Sequence, residues 1–221
     1  MFLSRIQINP LRRGAQRLLA SPQRMHAAVL SAFPDPLVGT DGPRILWRLD
    51  EEPHRVFLYV VSPQEPDFVH LAEQAGWPRT EQGLTRPYSA FLESLAPDQV
   101  WAFRLKASPV RYLPAPGGGR ARRTVHVTAA QQEAWLVEKS ASIGGALAPL
   151  QDGGPSLQLT RRGTDVFSKG TSSSPVTLGW AQFDGLVRVV DADALRAALV
   201  GGIGPGKAYG CGLMTLARPK V

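Results

Sequence analysis

The sequence predicts an α+β protein made of two small domains in tandem, residues 1–95 and 99–221. Three observations carry this. Runs with a two-residue apolar period alternate with runs at helical spacing, so strands and helices are mixed along one chain. In the first half they follow the order strand, helix, strand, strand, helix, strand, which is the ferredoxin-like (RRM-like) order. Near residue 99 the order starts again, and 221 residues are enough to give each half its own core. No sequence motif repeats between the halves, so the duplication is one of pattern.

Residues 2 to 9, with Arg5, Ile6 and Ile8, alternate as a half-buried strand that Pro10 ends. Leu11 to Arg17 reads as a basic connection. Ser21-Pro22 opens a helix as N-cap and first helical residue, Met25, Val29, Ala32 and Phe33 repeat at helical spacing, and Pro34 stops them. Arg44 to Leu49 and Arg55 to Val61 form a hairpin around Asp50-Glu51-Glu52-Pro53-His54. Asp67 to Ala72 reads as a short helix ending near Gly76, and Trp77 onward as irregular chain or a weak fourth strand.

In the second half, Val100 to Ala107 alternates as a strand and Pro114 to Arg123 is a glycine-rich basic loop. After the short β-prone run Thr124 to Val127, Thr128 caps a helix assigned Ala134, Trp135, Val137 and, past a glycine pair, Leu147. Leu157 to Thr160 and Val176 to Val189 flank a polar basic segment, Arg161 to Pro175. A last helix from Ala194 to Val200 leads into a glycine-rich stretch and a final strand, Leu213 to Ala217.

That stretch, Gly201 to Gly212, holds six glycines in twelve residues together with Lys207, Tyr209 and Cys211. Backbone so unencumbered lets N–H groups approach an anion, with Lys207 adding charge, so Gly204, Gly206 and Lys207 are expected at a phosphate. Gly201 to Lys207 also matches the G-x-x-x-x-G-K part of a P-loop. Ala208 replaces the hydroxyl that would hold Mg²⁺, and the run goes from helix to strand rather than strand to helix, so a nucleotide hydrolase is rejected.

A formal charge of +7 and a pI near 10.1 suggest a polyanionic partner. One cysteine excludes intrachain disulfides and zinc clusters, and His26, His54, His70 and His126 lack metal-ligand spacing, so no metal and no cofactor are expected. No apolar run reaches membrane-spanning length and the N-terminus is no signal peptide, which places the protein in the cytoplasm with no membrane partner.

Several runs together carry a family resemblance: Met1-Phe-Leu-Ser-Arg5, the helix carrying Met25-His26, Phe103 to Pro109, Val176-Thr-Leu with Phe183-Asp-Gly185, and Gly202-Ile-Gly204 with Lys207-Ala-Tyr209-Gly210-Cys211-Gly212-Leu213. Over nearly its whole length the chain resembles the CasE family of CRISPR RNA processing endoribonucleases of type I-E Cascade complexes. The resemblance implies tandem ferredoxin-like domains, binding of a hairpin repeat RNA, metal-independent cleavage of precursor CRISPR RNA at the base of the stem, and retention of the product among the other Cascade subunits. It also implies that His26 is the catalytic histidine and that Lys169 lies near the scissile phosphate. On spacing alone, a single helix histidine reads as a surface or packing residue.

Cleavage of RNA without a metal requires deprotonation of a 2′-OH, stabilisation of a charged phosphorane and protonation of the departing 5′-oxygen, leaving a 2′,3′-cyclic phosphate and a 5′-hydroxyl. Histidine suits both proton transfers. Family members often carry tyrosine one turn before this histidine, where this chain has Gln23, which hydrogen-bonds but exchanges no proton near neutrality. His26 then works largely alone, or Tyr209 or Lys169 substitutes; Gln23 also keeps open a non-catalytic RNA-binding or scaffold subunit. Arg161 and Arg162, with Lys169, are expected to read the stem, and Arg12, Arg13, Arg122 and Arg123 to touch backbone phosphates, each against the alternative of a solvated basic loop. Cys211, flanked by glycines, is not read as a nucleophile.

Overall fold

The computed structural model describes residues 1–34, 44–53, 55–114, 121–150, 153–168 and 175–219. The chain opens on strand β1 (Phe2–Ile8), whose alternation puts Ser4, Ile6 and Ile8 inside. Helices α1 (Arg13–Leu19) and α2 (Pro22–Leu30) follow. The basic connection expected over Leu11 to Arg17 is therefore largely helix: Ala15 and Leu18 form a buried stripe between exposed polar residues. Gly14 permits the packing, since a Cβ there would sit 2.2 Å from the Gln74 carbonyl oxygen on the third helix.

Strands β2 (Leu46–Glu52) and β3 (Arg55–Ser62) form the expected hairpin, with Leu49 opposite Leu58, though His54 lies outside the described residues. Helix α3 (Val69–Ala75), strand β4 (Leu84–Pro87) and the short helix α4 (Ser89–Glu93) complete this half. The first sheet is antiparallel in the order β2-β3-β1-β4.

The second half starts with β5 (Val100–Ala107) and a two-stranded ribbon, β6 (Val110–Leu113) and β7 (Arg122–Val125), which pairs only with itself. Helix α5 (Ala129–Ser142) begins at Thr128, whose side chain accepts from the Gln131 N–H while Gln131 reaches back to the cap. It ends before Leu147. After Gly144, at φ 75°, the chain turns into β8 (Gly145–Leu147), so Leu147 pairs with Val187 instead of extending the helix. Strands β9 (Leu157–Phe167) and β10 (Val176–Val189), helix α6 (Ala192–Gly201), a 3₁₀ turn (Lys207–Tyr209) and strand β11 (Met214–Ala217) follow. The second sheet runs β11-β5-β10-β8, with β9 also paired to β10.

One difference bears on the site. The strand expected to stop at Thr160 continues to Phe167, because a register shift opposite Gln182 and Phe183 absorbs Thr160 and pairing resumes at Arg161. β5 ends opposite Ala181, so the far arms of β9 and β10 project beyond it as a two-stranded hairpin. Its tip, including Lys169, Gly170 and Thr171, lies outside the described residues.

Two cores result. Ile6, Leu18, Met25, Val29, Leu58 and Leu71 fill the space between the first sheet and α1 to α3. Leu46 and Val61 join Leu105, Phe183, Leu195 and Leu213 in the other, so the opposite face of the first sheet packs on the second half. At that joint sits Arg48, 1% exposed. It donates to Asp50 Oδ1 at 2.6 Å and Oδ2 at 2.9 Å, to the carbonyls of Arg104 at 2.8 Å and Leu213 at 3.0 Å, and to Thr215 Oγ1 at 2.8 Å. A guanidinium paired this fully ties β2 to β5 and β11.

Candidate functional site

His26 rides on α2, which Ser21 caps by accepting from the Arg24 N–H and which Met25 and Val29 anchor in the first core. Facing it is the 3₁₀ turn. The turn is bracketed by Gly206 and Gly210, both left-handed at φ 80° and 77°. At Gly210 the lack of a side chain is doubly required, because a Cβ there would lie 2.7 Å from the Trp47 ring of β2. This close approach carries Tyr209 to α2, where its ring meets the His26 imidazole edge-on with centroids 6.5 Å apart. Tyr209 also lies against Phe167, the last residue of β9, with ring centroids 4.7 Å apart. Three distant parts of the chain thus converge at His26, Tyr209 and Phe167.

The His26 imidazole is half-buried. Its Nδ1 is enclosed without a hydrogen-bond partner among the described residues, which leaves Nε2 as the nitrogen open to a substrate. Burial lowers its pKa below the ordinary 6.5. An imidazole held neutral near pH 7 is ready to accept a proton. Gln23, also half-buried, lies one turn earlier on the same side of α2.

Beside Tyr209 lies a cavity of about 250 Å³ between the α1–α2 turn, β2 and the projecting hairpin. Lys106 lines it, with its ammonium 4.1 Å from the centre of the Trp180 ring, as do Glu51 and Asp165. Neither Lys106 nor Phe167 stood out in the sequence. Lys106 sits in an alternating strand where a charge is unremarkable, and Phe167 falls within a segment read as polar.

Part of the glycine loop's backbone is spent on its own fold. The N–H groups of Ile203, Tyr209, Cys211 and Gly212 donate to the carbonyls of Gly212, Gly206, Gly206 and Lys106, so they hold the chain's own path. Gly204 lies against the Trp135 ring. Lys207, in the same 3₁₀ turn as Tyr209, has its pKa lowered, first by burial and then by the charges of Arg44 and Lys139. Burial raises the Cys211 thiol to about 12, in keeping with an inert side chain.

The basic residues divide. Arg12 donates to the carbonyls of Ala72, Glu73 and Gly76, so it closes the C-terminal end of α3. Arg13 is exposed at the start of α1. Arg161 pairs with Glu51 at 2.8 Å, while Arg162 donates to the Val127 carbonyl at 3.2 Å. As neighbours on a strand they address opposite faces of the hairpin. Lys169 cannot be placed, being outside the described residues. Among the described residues no group of three His, Cys, Asp or Glu side chains is arranged to hold a metal, and no helix is long and apolar enough to cross a membrane.

Comparison with known proteins converges on one family. The profile described as CRISPR associated protein matches residues 1–218. The CRISPR-associated endoribonuclease Cse3 of Thermus thermophilus is 32% identical over 228 residues, covering 98% of this chain and 100% of that protein. The Cascade subunit CasE of Escherichia coli is 33% identical over 122 residues, 52% of this chain and 56% of its own. Among solved structures, a CRISPR endoribonuclease Cse3 bound to 19-nucleotide RNA superposes with a TM-score of 0.81 at 29% identity, covering 99% of this chain and 100% of the other.

Proposed function

This chain belongs to the family of CRISPR-associated proteins, and from that premise we propose that it is a CasE/Cse3-type endoribonuclease that binds the hairpin of a CRISPR repeat and cleaves precursor CRISPR RNA. It works in the cytoplasm as a Cascade subunit and retains its product there. The observation that carries the reading is His26: a neutral, half-buried imidazole edge-on to Tyr209, at the junction of α2, the glycine loop and the projecting hairpin.

His26 Nε2 takes the proton of the 2′-OH as that oxygen attacks the adjacent phosphorus. The P–O5′ bond breaks, the 5′-oxygen leaves as a hydroxyl after gaining a proton, and a 2′,3′-cyclic phosphate remains. The Tyr209 hydroxyl, one ring away from His26, is the group we assign to the second transfer; Gln23 serves only to hydrogen-bond and orient. Arg161 and Arg162 hold the stem from two sides of the hairpin, with Lys169 near the phosphate, and Arg13 and Lys207 add charge to the RNA surface.

We also read the chain as two ferredoxin-like domains, 1–95 and 99–221. What supports this is that each sheet, with its strands numbered within its own half and β9 set aside, has the same order, second-third-first-fourth, with helices between first and second and between third and fourth.

The test is incubation of repeat RNA in EDTA, beside a substrate with hydrogen in place of the 2′-OH upstream of the cut. The reading requires cleavage of the first alone, and loss of that cleavage with retained affinity in His26→Ala. A His26→Ala protein that cuts at the parental rate would falsify it; binding without cleavage of either RNA by the parental chain would favour a scaffold subunit.

A further inference from the structure

The glycine loop has a second face. Five and four residues before Tyr209, Gly204 and Pro205 form one wall of a groove of about 710 Å³. The opposite wall comes from the β6–β7 ribbon through Arg111 and Tyr112, and the floor from α5 through Trp135 and Lys139. Gly204 is essential to this shape: it sits at φ 75°, and its Cβ position would be only 3.3 Å from the Trp135 ring.

The lining is basic and aromatic. Tyr112 is 65% exposed on a ribbon that joins neither sheet among the described residues, an uncommon setting for a large ring without a ligand. Arg111 and Lys139 line the groove with a single carboxylate, Glu138, and neither forms an ion pair among the described residues. The charges of Lys139 and Arg44 both act on Lys207. Cations gathered in this way call for an anion of extended shape.

We propose that this groove is a second RNA subsite, which takes unpaired nucleotides flanking the repeat hairpin. A single strand fits its chemistry better than the stem does. Bases in a duplex are stacked on each other and cannot meet Tyr112, whereas splayed bases stack on an aromatic ring while their phosphates lie along Arg111 and Lys139. The position fits too. Five residues limit the separation of Gly204 from Tyr209 to about 18 Å, a span that a few unpaired nucleotides can cover. This inference rests on the endoribonuclease reading and adds to it where the RNA goes on one side of the cut.

The test compares binding of two non-cleavable RNAs by fluorescence anisotropy: the minimal hairpin, and the same hairpin with an unpaired extension, placed on the 5′ or the 3′ side in separate arms. The full-length parental chain should bind one extended RNA more tightly than the hairpin, by at least about fivefold for each base stacked on an aromatic ring. Tyr112→Ala and Lys139→Ala should bind the hairpin as the parent does and lose most of that gain. Lys139→Ala should also flatten the salt dependence of the extended RNA alone, by about 0.7 in the logarithmic slope. Equal losses on both RNAs, or no gain from either extension in a parental chain that cuts the hairpin, would overturn the subsite and leave the nuclease standing. Failure of the parental chain to bind the hairpin would remove the reading beneath it. Hairpin binding reports folding for each variant.

Discussion

Arg48→Met should be the most destabilising single change at the joint between the halves. The substitution keeps the apolar length of the side chain and removes five hydrogen bonds, those to both Asp50 oxygens, to the Arg104 and Leu213 carbonyls and to Thr215. Asp50, 5% exposed, is then left with Arg104 Nη1 at 3.5 Å as its remaining cation. Breaking a buried pair from one side costs about 3–5 kcal/mol, since the orphaned charge keeps its desolvation penalty. For a chain of this size each kcal/mol lowers Tm by about 2–4 °C, so thermal unfolding followed by circular dichroism should show a fall of about 6–20 °C. The source of the loss can be checked separately. Arg48→Met/Asp50→Leu removes both charges and should recover a large part of the stability. A single variant within about 2 °C of the parent, or a double variant less stable than the single, would refute the account of Arg48 as a paired buried strut.

Tyr209→Phe keeps the ring against His26 and Phe167 and removes only the hydroxyl. Single-turnover cleavage should fall about a hundredfold or more with hairpin affinity unchanged, and an unchanged rate would move the second proton transfer elsewhere. The pH dependence has a defined sign. Burial holds His26 below 6.5 in the folded chain, so the basic, neutral form persists to lower pH than in free imidazole. The acid limb of kcat/KM, which reports the free enzyme, should therefore lie below pH 6.5. The same shift makes the His26 contribution to stability present above 6.5 and lost as pH falls through the folded pKa, so His26→Ala should unfold less steeply with acid in urea titrations. An acid limb above 6.5 would disagree with the buried Nδ1.

Elements whose own sequence dictates them were the ones readable in advance. β1 alternates, α2 has a serine cap and a proline, and α5 has Thr128 with Gln131 three residues on; each is a local arrangement of donors and apolar side chains. α1 was not readable, and of the β6–β7 ribbon only the β-prone run from Thr124 was. The first lies in an arginine-rich run whose buried positions, Ala15 and Leu18, have meaning only once α2 and α3 are beside it. The ribbon is two four-residue strands with mostly exposed side chains, so no apolar period marks it. β9 was cut short for a related reason. Past Thr160 its residues are polar, and the partner that makes them a strand is β10, not a core.

The site shows the same division between chemistry and placement. Residue types told which groups can exchange a proton, so His26 and Tyr209 were both on the page; nothing in their spacing said that 183 residues of chain would bring one ring to 6.5 Å from the other. That distance depends on packing of a kind sequence does not display. Trp47 of β2 takes the place of a Gly210 side chain, and Arg48, the next residue, holds the Leu213 carbonyl just beyond the loop. The glycines thus matter first as the way a loop from the second half is seated on a strand from the first, with Tyr209 projected from it towards α2. Loss of Arg48 should therefore reach the proposed active site as well as the fold: in Arg48→Met assayed well below its Tm, kcat should fall more than KM rises, because the His26–Tyr209 pair proposed to carry the proton transfers is loosened while the hairpin and its arginines stay in place.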